Sequence, residues 1–354
     1  MKCILLYSRR LMMNFNSGMK IRNFSRKHEK RKKHIFRFMI IGIILLGMIY
    51  QQVASYYTAS SLGRVGRLVK VGDVDMHLYE NGTGSKIPLV FTTDIGANVP
   101  YVEVYSLHSK LASSHPISVY DKPGYGWSEI TSEPRDIDTI CREIHTLLHS
   151  SEIPDDEDTY IEPFIFVGYG MSSLEILRYA QLYPDDVAGI VLIEGASPQF
   201  CVDFNNIMIM ESFLTNGLRN IGVLRLFGNT NMVSNTLGIH KDYAPELQAL
   251  SKGLALEKIW NRNILAERLK IQDNGQTVLD GGDLGDIPLR IITSHANVYS
   301  SWMRTQRSLL TLSSDSAQTY IEGSVDYIQE EDVPTILEVI EELNAHIEAL
   351  REES

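Results

Sequence analysis

The chain is poor in cysteine, and the three it has, Cys3, Cys141 and Cys201, form no CxxC pair and no even framework. Neither a zinc site nor a disulfide scaffold is therefore indicated. A Cys141–Cys201 bridge stays open only for a body outside the cytoplasm. Internal repeats and low-complexity tracts are absent. Acidic residues are nearly missing from residues 1–37, which carry twelve Lys or Arg against the single acid Glu29. The rest of the chain holds 21 basic and 43 acidic residues, so a basic head precedes an acidic body. Such asymmetry points to two environments. The acidic body argues against a nucleic-acid partner, because phosphate binding requires positive charge. With 44% hydrophobic residues over 354 positions, the chain can bury a sizeable core.

Residues 38–50 carry no charge, and the run continues less cleanly to Tyr57. About 20 residues at 1.5 Å each span a bilayer core of ~30 Å. The segments Gln52-Val53-Ala54 and Tyr57-Thr58-Ala59 are poor cleavage sites, and no Cys follows for lipidation. The basic cluster from Arg26 to Arg37 abuts the run and is expected to stay cytoplasmic. A nuclear-targeting or nucleic-acid patch is the competing reading of that cluster, and Met19 is an alternative start. The expected layout is a basic cytoplasmic segment over 1–37, a transmembrane signal-anchor over 38–57, a stalk over 58–65 and an extracytoplasmic body over 66–350.

Within the body, short β-type runs alternate with helical periodicity, the pattern of a mostly parallel sheet covered by helices. Strands are expected at 67–71, 74–79, 88–92, 117–120, 164–168, 189–193, 288–293 and 318–321. The first two flank Gly72-Asp73, a hairpin-like turn. Helices are expected near 100–112, 135–150, 172–183, 299–311 and 333–350. Residues 198–285 are Met- and Leu-rich with helical period, too long for a loop. They read as a cap over a pocket or as an ordinary helical subdomain. Residues 152–162 read as an acidic surface loop.

Three segments carry a resemblance. Val119-Tyr120-Asp121-Lys122-Pro123-Gly124-Tyr125-Gly126-Trp127-Ser128 resembles a strand-then-loop motif usually written Tyr-Asp-Arg-x-Gly-x-Gly-x-Ser. Residues 164–175 resemble a strand, a tight elbow and a helix, and residues 177–195 look like their continuation. Together they resemble the α/β-hydrolase fold superfamily, of AB hydrolase-1 type, over roughly 66–350. The resemblance implies an α/β class with an eight-stranded, mostly parallel sheet, a helical cap insertion over 198–285 and, here, one preceding transmembrane helix.

The resemblance also implies a catalytic triad that these residues do not supply. In the Gly-x-Ser-x-Gly elbow, serine projects from a strained strand-to-helix turn. Here Gly168-Tyr169-Gly170-Met171-Ser172 puts Gly170 at that place. Ser172 and Ser173 fall in the following helix and are expected to point elsewhere. Asp326 stands where the family has its histidine, and Asn297 near its acid. The three read as independent losses from one cooperative unit. Asp94 stands where a glycine is common beside the oxyanion hole, the amide set that stabilises a developing negative charge. If it points inward, its charge opposes that role.

Thr93, Asp94, Tyr169, Gly170, Met171, Glu194, His295 and Asp326 are expected around a ligand pocket. No cofactor and no metal centre are assigned. One reading is a membrane-bound, catalytically inactive pseudo-hydrolase that binds a small-molecule ligand or a protein partner, senses or scaffolds. The second is a hydrolase of altered mechanism, in which Asp94, Glu194, Asp326 and His295 activate water or hold a cation. The third is a conventional hydrolase with a displaced serine and one of His108, His115 or His240.

Overall fold

The computed structural model describes residues 2–150, 162–205, 209–240, 242–295, 302–322, 328 and 330–353. The strands are β1 (Arg67–Val71), β2 (Val74–Asn81), β3 (Leu89–Phe91), β4 (Ile117–Asp121), β5 (Phe164–Tyr169), β6 (Val187–Ile193), β7 (Leu289–Ser294) and β8 (Ser316–Ile321). They form one sheet in the order β1-β2-β4-β3-β5-β6-β7-β8. Only the pairs β1–β2 and β2–β4 are antiparallel. The strands from β4 to β8 are joined in parallel, so the eight-stranded, mostly parallel arrangement is as expected. β5 is buried at all six positions, which follows from helix layers on both faces.

The helices are α1 (Lys2–Ser61), α2 (Pro100–Glu103), α3 (Tyr105–Leu111), α4 (Ile137–Leu148), α5 (Ser173–Leu182), α6 (Pro198–Val202) and α7 (Ile209–Asn220). They continue as α8 (Val223–Leu226), α9 (Asn231–Thr236), α10 (Pro245–Lys258), α11 (Arg262–Leu269), α12 (Ile271–Asp280), α13 (Trp302–Leu309) and α14 (Val333–Glu353). Two hydrophobic cores sandwich the sheet. One lies under α4 and α5, with Ile140, Ile144 and Leu177 buried; the other lies under α3 and α14, with Leu107, Ile340 and Leu343 buried. α6–α12 fill the interval between β6 and β7 as the helical insertion. The helix expected over 100–112 is interrupted at Val104, where the backbone leaves helical geometry.

α1 contains a stretch, Arg31–Thr58, long and apolar enough to cross a membrane. It does not give way to a stalk after Tyr57: residues 58–61 form its last turn. Its end is held against the helical insertion. Gln51 donates to the Leu256 carbonyl at 2.9 Å. Arg225 donates to Gln51 Oε1, Thr58 Oγ1 and Ser55 Oγ at 3.2, 2.8 and 3.2 Å. Cys141 and Cys201 are both free and buried, so the bridge left open by the sequence does not form.

Candidate functional site

The elbow forms as a turn. β5 ends at Tyr169, a single 3-10 turn covers Gly170–Ser172, and α5 begins at Ser173. Gly170 has φ of +62°, in the left-handed region that side chains adopt only at a cost of ~1–3 kcal/mol. Ser172 closes the turn on itself: its Oγ accepts from the Tyr169 amide at 3.0 Å and donates to the Tyr169 carbonyl at 2.8 Å. Ser173 donates to the Ala196 carbonyl. Both hydroxyls are buried in structural bonds, as their place in the sequence implies.

Asp94 points inward. Its Oδ1 accepts from the Ile95 amide at 2.8 Å and from the Met171 amide at 2.7 Å. In an α/β-hydrolase those two positions, the loop after β3 and the residue after the nucleophile, supply the oxyanion hole. The protein's own carboxylate occupies it. A Cβ on Gly170 would lie 2.5 Å from the Asp94 carboxyl carbon, so the volume a nucleophile would use is also filled. Burial pushes the Asp94 pKa up to about 6, although the Met171 and Ile95 amides pull against it.

Beside this carboxylate lies a cavity of about 270 Å³. The β3 loop, α2 and the helical insertion wall it, with Asp94, Glu103, His240, Trp260 and Arg268 among the lining. Of the expected pocket residues, Thr93, Asp94 and Tyr169 line it, and Gly170 and Met171 adjoin it through Asp94. Glu194 and His295 are not among its lining residues. Glu194, at φ +48°, turns its carboxylate onto the Ser294 amide. His295, just after β7, stacks on Tyr320 of the edge strand β8 at 4.8 Å between ring centres. Asn297 and Asp326 lie outside the described residues.

Sequence reasoning missed Glu103, Trp260 and Arg268. The Glu103 pKa is raised to about 7 by burial and by the Asp94 charge, against a 3.4 Å bond from Tyr243. The Arg268 guanidinium sits 4.9 Å above the Trp260 ring. Glu103 is an isolated acid on an otherwise apolar and aromatic helix, a signal that could have been read. The other two become neighbours only through the fold.

The alternative histidines differ. His108 is buried among Tyr79, Tyr101 and Tyr105, and burial lowers it to about 4. His115 holds the Ile87 carbonyl at 2.7 Å. His240 does line the cavity, but no serine does among the described residues. His145, His149 and Asp186 stand close enough to hold a metal ion. Protons satisfy the same geometry. Tyr179 donates to Asp186 at 2.7 Å, and His145 Nδ1 lies 3.1 Å from the same carboxylate.

The loop that resembles Tyr-Asp-Arg-x-Gly supports the site from behind. Lys122, in the arginine place, is buried between Glu175 of α5 and Glu267 of α11. Tyr120 donates to Glu175 at 2.8 Å and Tyr125 to Glu267 at 2.9 Å. One ammonium thus ties the elbow helix to the insertion. Burial works against its charge, and the two carboxylates outweigh that and raise its pKa. Asp121 accepts from the Trp127 amide at 2.9 Å and faces His77 Nδ1 at 2.8 Å. Gly126 is required there, because a Cβ would collide with that carboxylate.

No family model matches the chain. An uncharacterized protein of Bacillus subtilis (strain 168), YbdG, is 27% identical over 242 residues, 67% of this chain and 71% of that protein. An uncharacterized Schizosaccharomyces pombe protein is 23% identical over 179 residues, 49% of this chain but 32% of its own length. Among solved structures, an enol-lactonase from Burkholderia xenovorans LB400 aligns with a TM-score of 0.56 at 15% identity, covering 78% of this chain and 98% of its own. Cfl2 from Burkholderia cenocepacia gives 0.56 at 14%, covering 78% and 94%. Topology, elbow and neighbours agree: the chain has the α/β-hydrolase fold.

Proposed function

We propose that this chain is a membrane-anchored α/β-hydrolase-fold protein that binds a ligand and has lost serine-hydrolase chemistry. Residues 1–37 are cytoplasmic, 38–57 cross the bilayer, and the body lies outside. The observation that carries the silent site is the Asp94 carboxylate on the Ile95 and Met171 amides, above a residue with no side chain. A tetrahedral oxyanion would have to displace a group already carrying negative charge at neutral pH. The cavity beside it presents the carboxyl groups of Asp94 and Glu103, with Arg268 over the Trp260 ring, and this excess of acid beside apolar lining suits a small neutral or cationic, partly apolar ligand.

The test uses the full chain in detergent with a serine-directed fluorophosphonate and activated esters. No labelling and no turnover above a denatured control are expected. Gly170→Ser alone stays unlabelled, because its side chain meets Asp94. Labelling of the unaltered protein at a mapped serine overturns the reading. Orientation is checked by protease on intact cells: digestion of the body with retention of an N-terminal tag is expected, and a protected body reverses it.

One observation favours a second reading. Asp94 and Glu103 share the cavity with pKa values pushed up to about 6 and about 7, a pair suited to carboxylate-assisted hydrolysis of a small ester or amide. Turnover with a bell-shaped pH profile, lost in both Asp94→Asn and Glu103→Gln, would replace the first reading.

A further inference from the structure

The helical insertion exposes large apolar side chains on three consecutive helices. Met210, Phe213 and Leu214 on α7 are 74, 45 and 62% exposed; Leu226 on α8 and Phe227 at its end are 65 and 56% exposed; Met232 on α9 is 75% exposed. Charge is nearly absent from the same stretch. Residues 209–236 hold Glu211, Arg219 and Arg225 and no other charged residue, in a body with a large excess of acids. Both arginines turn inward. Arg219 donates to the Glu257 and Ile259 carbonyls at 3.1 and 3.2 Å, and Arg225 binds α1. Six large apolar side chains this exposed, with so little charge among them, are unusual on a water-facing surface.

Its position says what covers it. α1 meets this part of the insertion from Gly47 onward. The Gly47 and Gly222 backbones approach so closely that a Cβ on Gly47 would collide with the Ile221 carbonyl. Glycine at 47 thus lets α1 approach the turn between α7 and α8 at backbone distance. From 47 to 57 the helix rises about 16 Å, roughly half of a ~30 Å hydrocarbon core. If residues 38–57 span the bilayer, the surface alongside 47–57 lies at hydrocarbon depth. Ile221, Gly222 and Arg225, which make that contact, are continuous in sequence with Leu226 and Phe227.

We infer that α7–α9 form a membrane-inserted face, and that lipid acyl chains are its partner. The inference rests on the anchored reading above. α9 and the turn after it also line the cavity through Asn235, Thr236, Leu237 and Gly238. The cavity roof is thus built from the element that touches lipid.

The experiment reads depth. In the full chain with Cys3→Ser, single cysteines replace Phe227, Met232, Leu45 or Asp185 and carry an environment-sensitive fluorophore. The protein is placed in phosphatidylcholine–phosphatidylglycerol vesicles containing doxyl-labelled lipid. Leu45 reports the span. Asp185, exposed just before β6 at the end of that strand away from the insertion, reports the aqueous side. Because Phe227 and Met232 are exposed, their replacement leaves the fold intact, which unchanged thermal unfolding verifies. Quenching at Phe227 and Met232 several-fold above that at Asp185, with Leu45 also quenched, is the expected result. Quenching at Leu45 with none at Phe227 and Met232 overturns the inserted face and leaves the anchor standing. No quenching at Leu45 overturns the anchored reading and the inserted face with it.

Discussion

Asp94→Asn isolates the charge that fills the oxyanion position. Asparagine keeps a carbonyl oxygen for the Ile95 and Met171 amides and removes the ionisable group. The Asp94 pKa moves from its ordinary 3.8 to about 6, so the folded state disfavours the ion by roughly two pH units. At ~1.4 kcal/mol per unit that is about 3 kcal/mol at most, and discounting for partial exposure leaves roughly 1–2 kcal/mol. The sign follows from linkage. A folded-state value above the unfolded one gives stability that is fully present below about pH 4 and is lost as pH rises through about 6. The variant is therefore expected to be more stable than the wild type at pH 8, by roughly 1–2 kcal/mol, with the gap narrowing on acidification. Glu103 reinforces the effect, since part of its upward shift comes from the Asp94 charge. Urea midpoints of the full chain in detergent, followed by tryptophan fluorescence from pH 5 to 8, provide the assay. A variant less stable than the wild type at pH 8, or with the same pH slope, would refute the placement of a desolvated carboxylate on those amides.

Two further outcomes follow from buried charge. Lys122→Met strands Glu175 and Glu267 without their cation and should cost about 3–5 kcal/mol, read as a lowered urea midpoint. His77 is held between the Asp121 carboxylate and the Val65 carbonyl. Burial lowers its pKa, and Asp121 more than compensates and raises it. Its stabilisation is thus full below about pH 6.5 and is lost as pH rises through the higher folded value, so amide protection near Val65, corrected for the intrinsic rise of exchange with pH, should fall across that rise in the wild type and stay constant in His77→Gln.

The sheet was legible because its signals are local. Arg67–Val71 is recovered as expected, and the central strands differ from the sequence reading by one or two residues at their ends. These runs are apolar on both faces or alternate around a glycine turn, and no distant contact is needed to read them. The end of α1 was not legible. Gln51, Ser55 and Thr58 look like the polar margin of an apolar run. They are polar because they bind the Leu256 carbonyl and Arg225, about 170 to 205 residues away. A side chain whose partner is that remote leaves no periodicity to read.

The elbow shows the same limit from the other side. Gly170 can be recognised in the sequence as a nucleophile position without a nucleophile, and Asp94 as an acid where glycine is common. Read separately, they are two independent losses. In the structure they are one change. The Ile95 and Met171 amides form a donor pair that needs an acceptor, and Asp94 supplies it at 2.8 and 2.7 Å. Its carboxylate fits because residue 170 has no Cβ, which would stand 2.5 Å away. Serine at 170 would collide with the carboxylate, and glycine at 94 would leave both amides to water. The pair is therefore self-consistent: each departure makes the other tolerable, and together they fill the oxyanion position with an anion that belongs to the protein.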